Sequence, residues 1–195
     1  AKPGPVAKLL PSAHAVEREF TVMRGLQDTD VPVPHMYCLC EDEAIIGRAF
    51  YIMECMEGRV LWDQSLPGMR REQRGAIYAE MNRVIAALHK VDFAQRGLNG
   101  YGKPGNYFER QIARWSRQYT ASITQPIVEM DHLMEWLPKN IAPLARDESM
   151  VSIVHGDFRL DNLMFHTQEA RVVAVLDWEL STLGHPLADF SYHCM

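Results

Sequence analysis

The stretch from Ser152 to Glu179 constrains this chain more than any other. A short apolar run, Ser152, Ile153 and Val154, opens onto the polar octet HGDFRLDN, from His155 to Asn162. A second run, VVAVLDWE, then places Asp177 fifteen residues past Asn162. Asp157 and Asn162, five apart in a polar stretch, suit a loop that projects both side chains into one cleft. The β-branched Val172, Val173 and Val175 read as a buried strand whose C-terminal end presents Asp177. Each piece has an ordinary explanation as well. Asp and Asn are common turn formers, and an Asp after an apolar strand is often a helix cap. The combination of residue types, order and spacing is what carries weight.

The residue types match one chemistry. Moving a phosphoryl group from ATP to a hydroxyl needs one carboxylate to orient the acceptor O–H, and oxygen ligands that hold Mg²⁺ against the phosphates. Asp157 supplies the first, and Asn162 with Asp177 the second. Mg²⁺ keeps several waters, so one amide oxygen and one carboxylate suffice when phosphates complete the octahedron.

HGDFRLDN, then VLDWE, then the segment from Gly184 through Pro186 to Asp189 resembles the aminoglycoside phosphotransferase and choline kinase family, which shares the protein-kinase-like fold. The resemblance covers nearly the whole chain. LLPSAHAVEREF, GNYFERQIARW and the DWE form bring it nearest to the branch fused to, or encoded beside, acyl-CoA dehydrogenases. It implies an α+β, two-lobed fold, with a partial β-rich N-lobe over 1–57 and a larger, mainly helical C-lobe over 58–195. By the same resemblance Asp157 is the catalytic base and Asn162 and Asp177 are magnesium ligands. Arg159 sits where protein kinases carry a lysine that touches the transferred phosphate; the alternative is a solvent-facing loop cation. His155 is expected to pack under the loop as support, and Asp189 to accept hydrogen bonds from its backbone. Glu179 positions substrate or a second metal, or simply caps the following turn.

With 195 residues, 47% apolar content and 23% charged, the chain is long enough to bury a sizeable core. Its net charge of −5 argues against a general nucleic-acid binder. No apolar run approaches a membrane span and no signal peptide opens the chain, so a soluble cytoplasmic protein is expected. Cys38, Cys40, Cys55 and Cys194 lack the paired spacing of a zinc site. Three of them sit in apolar, strand-like stretches where reduced Cys behaves as a small hydrophobe, so no disulfide is expected.

A helix capped by Ser12 is expected to run to about Leu26. Val16, Glu19, Phe20 and Met23 fall at i, i+3, i+4 and i+7, which sets Glu19 in the apolar stripe. A carboxylate there needs a cationic partner or a route to water along its flexible stem. In the kinase-like fold the partner is a lysine that also holds the α- and β-phosphates. The resemblance places that strand and the glycine-containing nucleotide loop upstream of position 1, leaving Lys2 as the nearby candidate cation, and places further helices beyond Met195. The chain therefore reads as a fragment.

His35 to Cys40 and Ala49 to Met56 flank a polar turn, Glu41 to Arg48, as in a hairpin. The family's interlobe hinge falls at the end of the second strand, where backbone around Glu54 and Met56 would bond adenine; an ordinary buried strand end is the alternative. Gly58 permits a sharp exit. Arg71 to Val91 keeps helical spacing through Ile77, Met81, Val84, Ile85, Leu88 and Val91, and His89 near its end reads as capping or packing. Gly97 to Gly105 reads as a connector. A helix from about Tyr107 to Ser122 sets Phe108, Ile112, Trp115 and Tyr119 on one face, and Arg110, Arg114 and Arg117 on another. The arginines form either an anion-binding stripe or a solvated face. Pro126 opens a third helix, and Pro138 is expected to stop it.

The expected activity is ATP- and Mg²⁺-dependent phosphorylation of a small-molecule hydroxyl. Aminoglycosides are polycations that call for clustered acidic residues, whereas the arginine stripe favours a hydroxy acid or hydroxyacyl-CoA, with an acyl-CoA dehydrogenase as fused or neighbouring partner. An aminoglycoside or choline-like alcohol kinase, a pseudokinase and a protein kinase are the alternatives. The pseudokinase is disfavoured because Asp157, Asn162 and Asp177 are all present. The protein kinase is disfavoured because no activation segment ending in Ala-Pro-Glu follows Asp177.

Overall fold

A computed structural model describes residues 16–147 and 149–195; the proposed cap Ser12 and the candidate cation Lys2 lie outside them. The first described helix, α1 (Val16–Leu26), buries Phe20, Val22, Met23 and Leu26, while Glu17 faces water and Glu19 is half-buried. It packs on an antiparallel pair, β1 (Met36–Cys40) and β2 (Phe50–Met53). The turn between these strands holds a short helix, α2 (Glu43–Ile46), because the Asp42 carboxylate caps the N–H of Ala44 and Gly47 closes the other end in the left-handed region at φ 87°.

After β2 the chain crosses to β3 (Arg59–Val60), which pairs with β5 (Leu163–Phe165) and through it with β6 (Val172–Val175), all antiparallel. Gly58 serves this crossing by its missing side chain: a Cβ there would collide with Met164 and with the Phe165 carbonyl. The long helix α3 (Arg71–Lys90) buries Ile77, Met81, Val84, Ile85 and Leu88, five of the six stripe positions read from spacing; Val91 caps its end. It packs against β6 and against β4 (Ser152–Val154), which pairs with β7 (Thr182–Gly184). Helix α6 (Leu187–His193) follows. One apolar core spans all of this, from Phe20 and Met23 through Leu88 to Ile153, Phe158, Phe165 and Trp178.

Helices α4 (Tyr107–Ser122) and α5 (Val128–Trp136) differ from the expectation in packing, since neither buries a single side chain. The helix stop also differs. Pro138 falls inside a 3₁₀ turn, Leu137–Lys139, that continues α5, because proline is tolerated at the first positions of a helical turn where no intrahelical N–H bond is lost. The four cysteines are free, but Cys38 and Cys55 are exposed rather than packed as small hydrophobes, and Cys194 is exposed as well. The two-stranded β1–β2 sheet leaves Cys38 on an uncovered face, and Cys55 lies past the strand end.

Candidate active site

The octet is anchored by alternation. Phe158 and Leu160 are driven into the core, at 0% and 1% exposure, so Asp157, Arg159 and Asp161 between them are turned outward and remain half-buried. Gly156 makes the turn at φ 87°, where a Cβ would also sit 2.8 Å from the Leu180 carbonyl oxygen. No other residue type fits there without strain.

Asp157 and Asn162 meet directly. The Asn162 side-chain amide donates to the Asp157 carboxylate Oδ2 and to the Asp157 carbonyl, both at 2.9 Å. A carboxylate and a carbonyl only accept, so the amide nitrogen faces Asp157 and the amide oxygen faces the other way. Asp177 is brought alongside by the β5–β6 hairpin. Leu163 pairs with Val175, and the Leu176 N–H donates to the Asn162 carbonyl at 2.9 Å. Fifteen residues of sequence are thus folded back to one side of the loop. Asp177 itself is exposed and held at φ 62°, a left-handed conformation that Asp tolerates better than most side chains.

His155 ties the loop to that strand end. It is completely buried; its Nε2–H donates to the Leu176 carbonyl at 2.9 Å and its Nδ1 accepts the Asp157 N–H at 3.2 Å. Burial pushes its pKa down, so the ring is neutral, with the proton on Nε2. Trp178 lies beside it, ring centroids 4.7 Å apart, fully buried and donating to the Val175 carbonyl at 3.0 Å. From the far side Asp189, 1% exposed, accepts the backbone N–H groups of His155 at 2.6 Å and Gly156 at 2.8 Å.

The N-terminal elements contribute a second acidic group. The Tyr51 hydroxyl on β2 donates to Glu19 at 3.0 Å, and burial, together with the charges of Glu19 and Asp177, pushes the Tyr51 pKa far up. Glu19, Tyr51 and Asp177 therefore share one electrostatic neighbourhood. Glu54 lies on the exposed stretch after β2, exchanging bonds with His35: its N–H donates to the His35 carbonyl at 2.8 Å, and its carboxylate accepts the His35 N–H at 3.2 Å. Met56 is half-buried just beyond it.

Arg159 is engaged by a neighbour in its own loop. Its Nε bonds Asp161, which raises the guanidinium pKa, Tyr192 adding to the effect. It lines a cavity under α3 and α6 whose described walls do not include Asp157. The contact is local: Arg159, extended at φ −143°, is followed at once by the 3₁₀ turn Leu160–Asn162, which holds its partner Asp161.

Arg110, Arg114, Arg117 and Glu179 come together. They line a cavity of about 600 Å³ with Arg18, Lys103 and Glu17. A neighbouring cavity of about 280 Å³ carries Tyr107, Phe108 and Trp115 alongside Gly156, and shares Gln111, Arg114 and Leu180 with the first. Arg18 is a residue that sequence reasoning passed over. Its guanidinium bonds the carbonyls of Tyr101 at 2.9 Å and Ser181 at 3.1 Å and lies 4.6 Å from the Tyr101 ring centre, pinning α1 to the turn after Asp177. Nothing in its local spacing marks it, because both partners are more than eighty residues away. Trp178 and Tyr51 were equally silent, although the DWE run holds the first.

Among the described residues no three His, Cys, Asp or Glu side chains gather into a metal cage, and no helix is long and apolar enough to cross a membrane. The Asn162 amide oxygen and the Asp177 carboxylate, on the loop and on the strand end tied to it, are instead a hard, sparse donor set. It fits Mg²⁺ shared with phosphates and would not by itself hold a softer ion.

Comparison with known proteins agrees with this architecture. A 65% identical crystal structure from Ralstonia eutropha, solved as a candidate aminoglycoside phosphotransferase, superposes with a TM-score of 0.87 over 95% of this chain and 55% of that one. A streptomycin–ATP complex of an aminoglycoside 2″-phosphotransferase, 18% identical, shares the fold with a TM-score of 0.61 over 89% of this chain and 57% of that one. Mouse acyl-CoA dehydrogenase family member 10 is 49% identical over 191 residues, which is 98% of this chain and 18% of that protein. The chain thus spans between 18% and 24% of the length of the curated relatives it matches. The fold is α+β and kinase-like, and with residues 6–195 matching the family model, the chain belongs to the phosphotransferase enzyme family.

Proposed function

We propose that this chain carries the reaction centre of an ATP- and Mg²⁺-dependent kinase acting on the hydroxyl of a small molecule. One observation carries the reading: Asn162 bonds the Asp157 carboxylate through its nitrogen while its backbone carbonyl ties it to Leu176, next to Asp177. These bonds support a base and two magnesium ligands acting from one cross-tied loop and the strand end beside it. Asp157 accepts the acceptor O–H and takes its proton as the hydroxyl oxygen bonds to the γ-phosphorus and the bond to the β-phosphate oxygen breaks, releasing ADP. Asn162 Oδ1 and the Asp177 carboxylate would hold Mg²⁺, which would offset charge on the phosphates. Glu19 orients the phosphate-binding cation, for which Lys2 is the candidate, and backbone around Glu54 and Met56 receives adenine. Glu179 faces the acceptor. Arg159, held by Asp161, has no contact with the transferred phosphate in this reading.

The acceptor is proposed to be anionic, a hydroxy acid or hydroxyacyl-CoA. The larger cavity sets five cationic side chains, Arg18, Lys103, Arg110, Arg114 and Arg117, against two carboxylates, Glu17 and Glu179. That balance opposes a polycationic aminoglycoside and suits a carboxylate or phosphate. The aromatic cavity beside Gly156 suits an apolar segment of the same molecule. The relatives named as acyl-CoA dehydrogenases support a dehydrogenase as fused or neighbouring partner. The test is ADP release by the full-length protein against hydroxyacyl-CoAs, hydroxy acids, choline-like alcohols and aminoglycosides. Turnover with the first two, Mg²⁺-dependent and lost in Asp177→Ala, is expected. Turnover confined to aminoglycosides would overturn the acceptor assignment, and Mg²⁺-independent ATP binding the metal assignment.

A further inference from the structure

We infer that His89 is a positioning residue for the catalytic loop, acting through Asp189. His89 stands in the last turn of α3, its side chain 15% exposed, and its Nε2 lies 3.2 Å from Asp189 Oδ2. That same oxygen accepts the His155 N–H, while Oδ1 accepts the Gly156 N–H. Because a carboxylate only accepts, His89 Nε2 carries the hydrogen and is the third donor to a buried acidic group. The other two donors belong to the loop itself. Only His89 comes from an element anchored elsewhere, since α3 is fixed by Val84, Ile85 and Leu88 in the core.

The consequence is mechanical. A buried carboxylate that loses one donor rotates toward whatever donors remain or draws in water. Here those donors are the two N–H groups immediately before Asp157, and the left-handed Gly156 between them holds its φ of 87° under their restraint. Removing His89 frees Asp189 to turn, shifts Gly156, and misplaces the Asp157 carboxylate relative to Asn162. ATP binding, which uses Asp177 and the hinge, does not sense this directly. The inference rests on the phosphotransfer reading for its kinetic arm alone.

The experiment compares His89→Leu with His89→Gln in the full-length protein, since the glutamine amide nitrogen reaches where imidazole Nε2 stood. Slow MgATP-dependent ADP release to water serves as the rate probe, and the backbone ¹H–¹⁵N signals of His155 and Gly156 as the positional probe. In His89→Leu, kcat is expected to fall about tenfold with the KM for MgATP within about twofold, and the Gly156 amide to lose its downfield position and exchange faster. His89→Gln is expected to restore both. Equal loss in the two variants, or a leucine variant with kcat within about twofold of the parent, overturns the assignment. If the leucine variant does not fold, His89→Asn, polar but too short to reach, takes its place. A parent protein that releases no ADP to water or to any of the four acceptor classes overturns the proposed function instead, and unchanged His155 and Gly156 amides in the leucine variant then still overturn the role of His89.

Discussion

In the segment 155–162 the apolar side chains point into the core and the polar ones are cross-tied, whereas α4 and α5 bury no side chain between them. Both regions bear charged groups to which the proposed reaction assigns a role. In the loop, Asp157, Asn162 and His155 bond one another, Leu176 and Asp189 at 2.6 to 3.2 Å, so the carboxylate geometry is fixed before any ligand arrives. On α4 the arginines face a cavity, and Trp115 on the same helix is 48% exposed. Preorganisation is thus concentrated at the proposed reaction centre, and the surface proposed to recognise the acceptor rests on a looser support.

The contrast can be broken most sharply at its rigid end. Asp157→Asn keeps the shape and removes the base, so ADP release is expected to fall about 10³-fold while the melting temperature moves little. A rate within tenfold of the parent would remove Asp157 from the mechanism. Trp178→Ala empties a fully buried site beside His155 and is expected to cost about 3–5 kcal/mol in denaturant unfolding. At the loose end, Arg114→Ala, in the wall shared by both cavities, is expected to raise the acceptor KM about tenfold with kcat nearly unchanged. A fall in kcat alone would place Arg114 in the chemistry rather than in recognition.

The loop's rigidity also has a pH signature. His155 is buried neutral, its pKa below the ordinary value of about 6.5 for unfolded histidine. Between the two values the unfolded chain binds more protons, so the neutral ring's contribution to stability is complete above about 6.5 and declines as pH falls below it. The melting temperature is expected to drop by a few degrees from pH 7 to 5, and by less in His155→Gln; an identical slope in both proteins would exclude His155 as the cause. The smallest effect belongs to the open helix face: Trp115→Ser is expected to change stability by less than about 0.5 kcal/mol. A larger loss would show that this face is covered and that the contrast is overdrawn.

Much of the site was legible because it is local. Asp157 to Asn162 is one loop, and the fifteen residues to Asp177 are the length of one hairpin, β5 with β6, so spacing alone carried their approach. The helices α1, α3 and α4 were legible from their 3.6-residue period, which records the face each was built to bury or wet. The pairing of Arg159 with Asp161 was not, because a loop cation with Asp157 and Asp161 both two residues away has no local signal that selects one of them.

The sequence by itself determined which chemical groups stand at the centre and in what order, since strand, loop and hairpin are set by neighbours in the chain. Only the tertiary structure decided what holds them. Asp189 is reached by His89 from a hundred residues away, Arg18 by Ser181 across more than one hundred and sixty, and the arginines of α4 join Glu179 in one cavity. Pairings over such distances leave no periodic trace in the chain, because they follow from which surfaces the hydrophobic core brings together rather than from any residue's local preference.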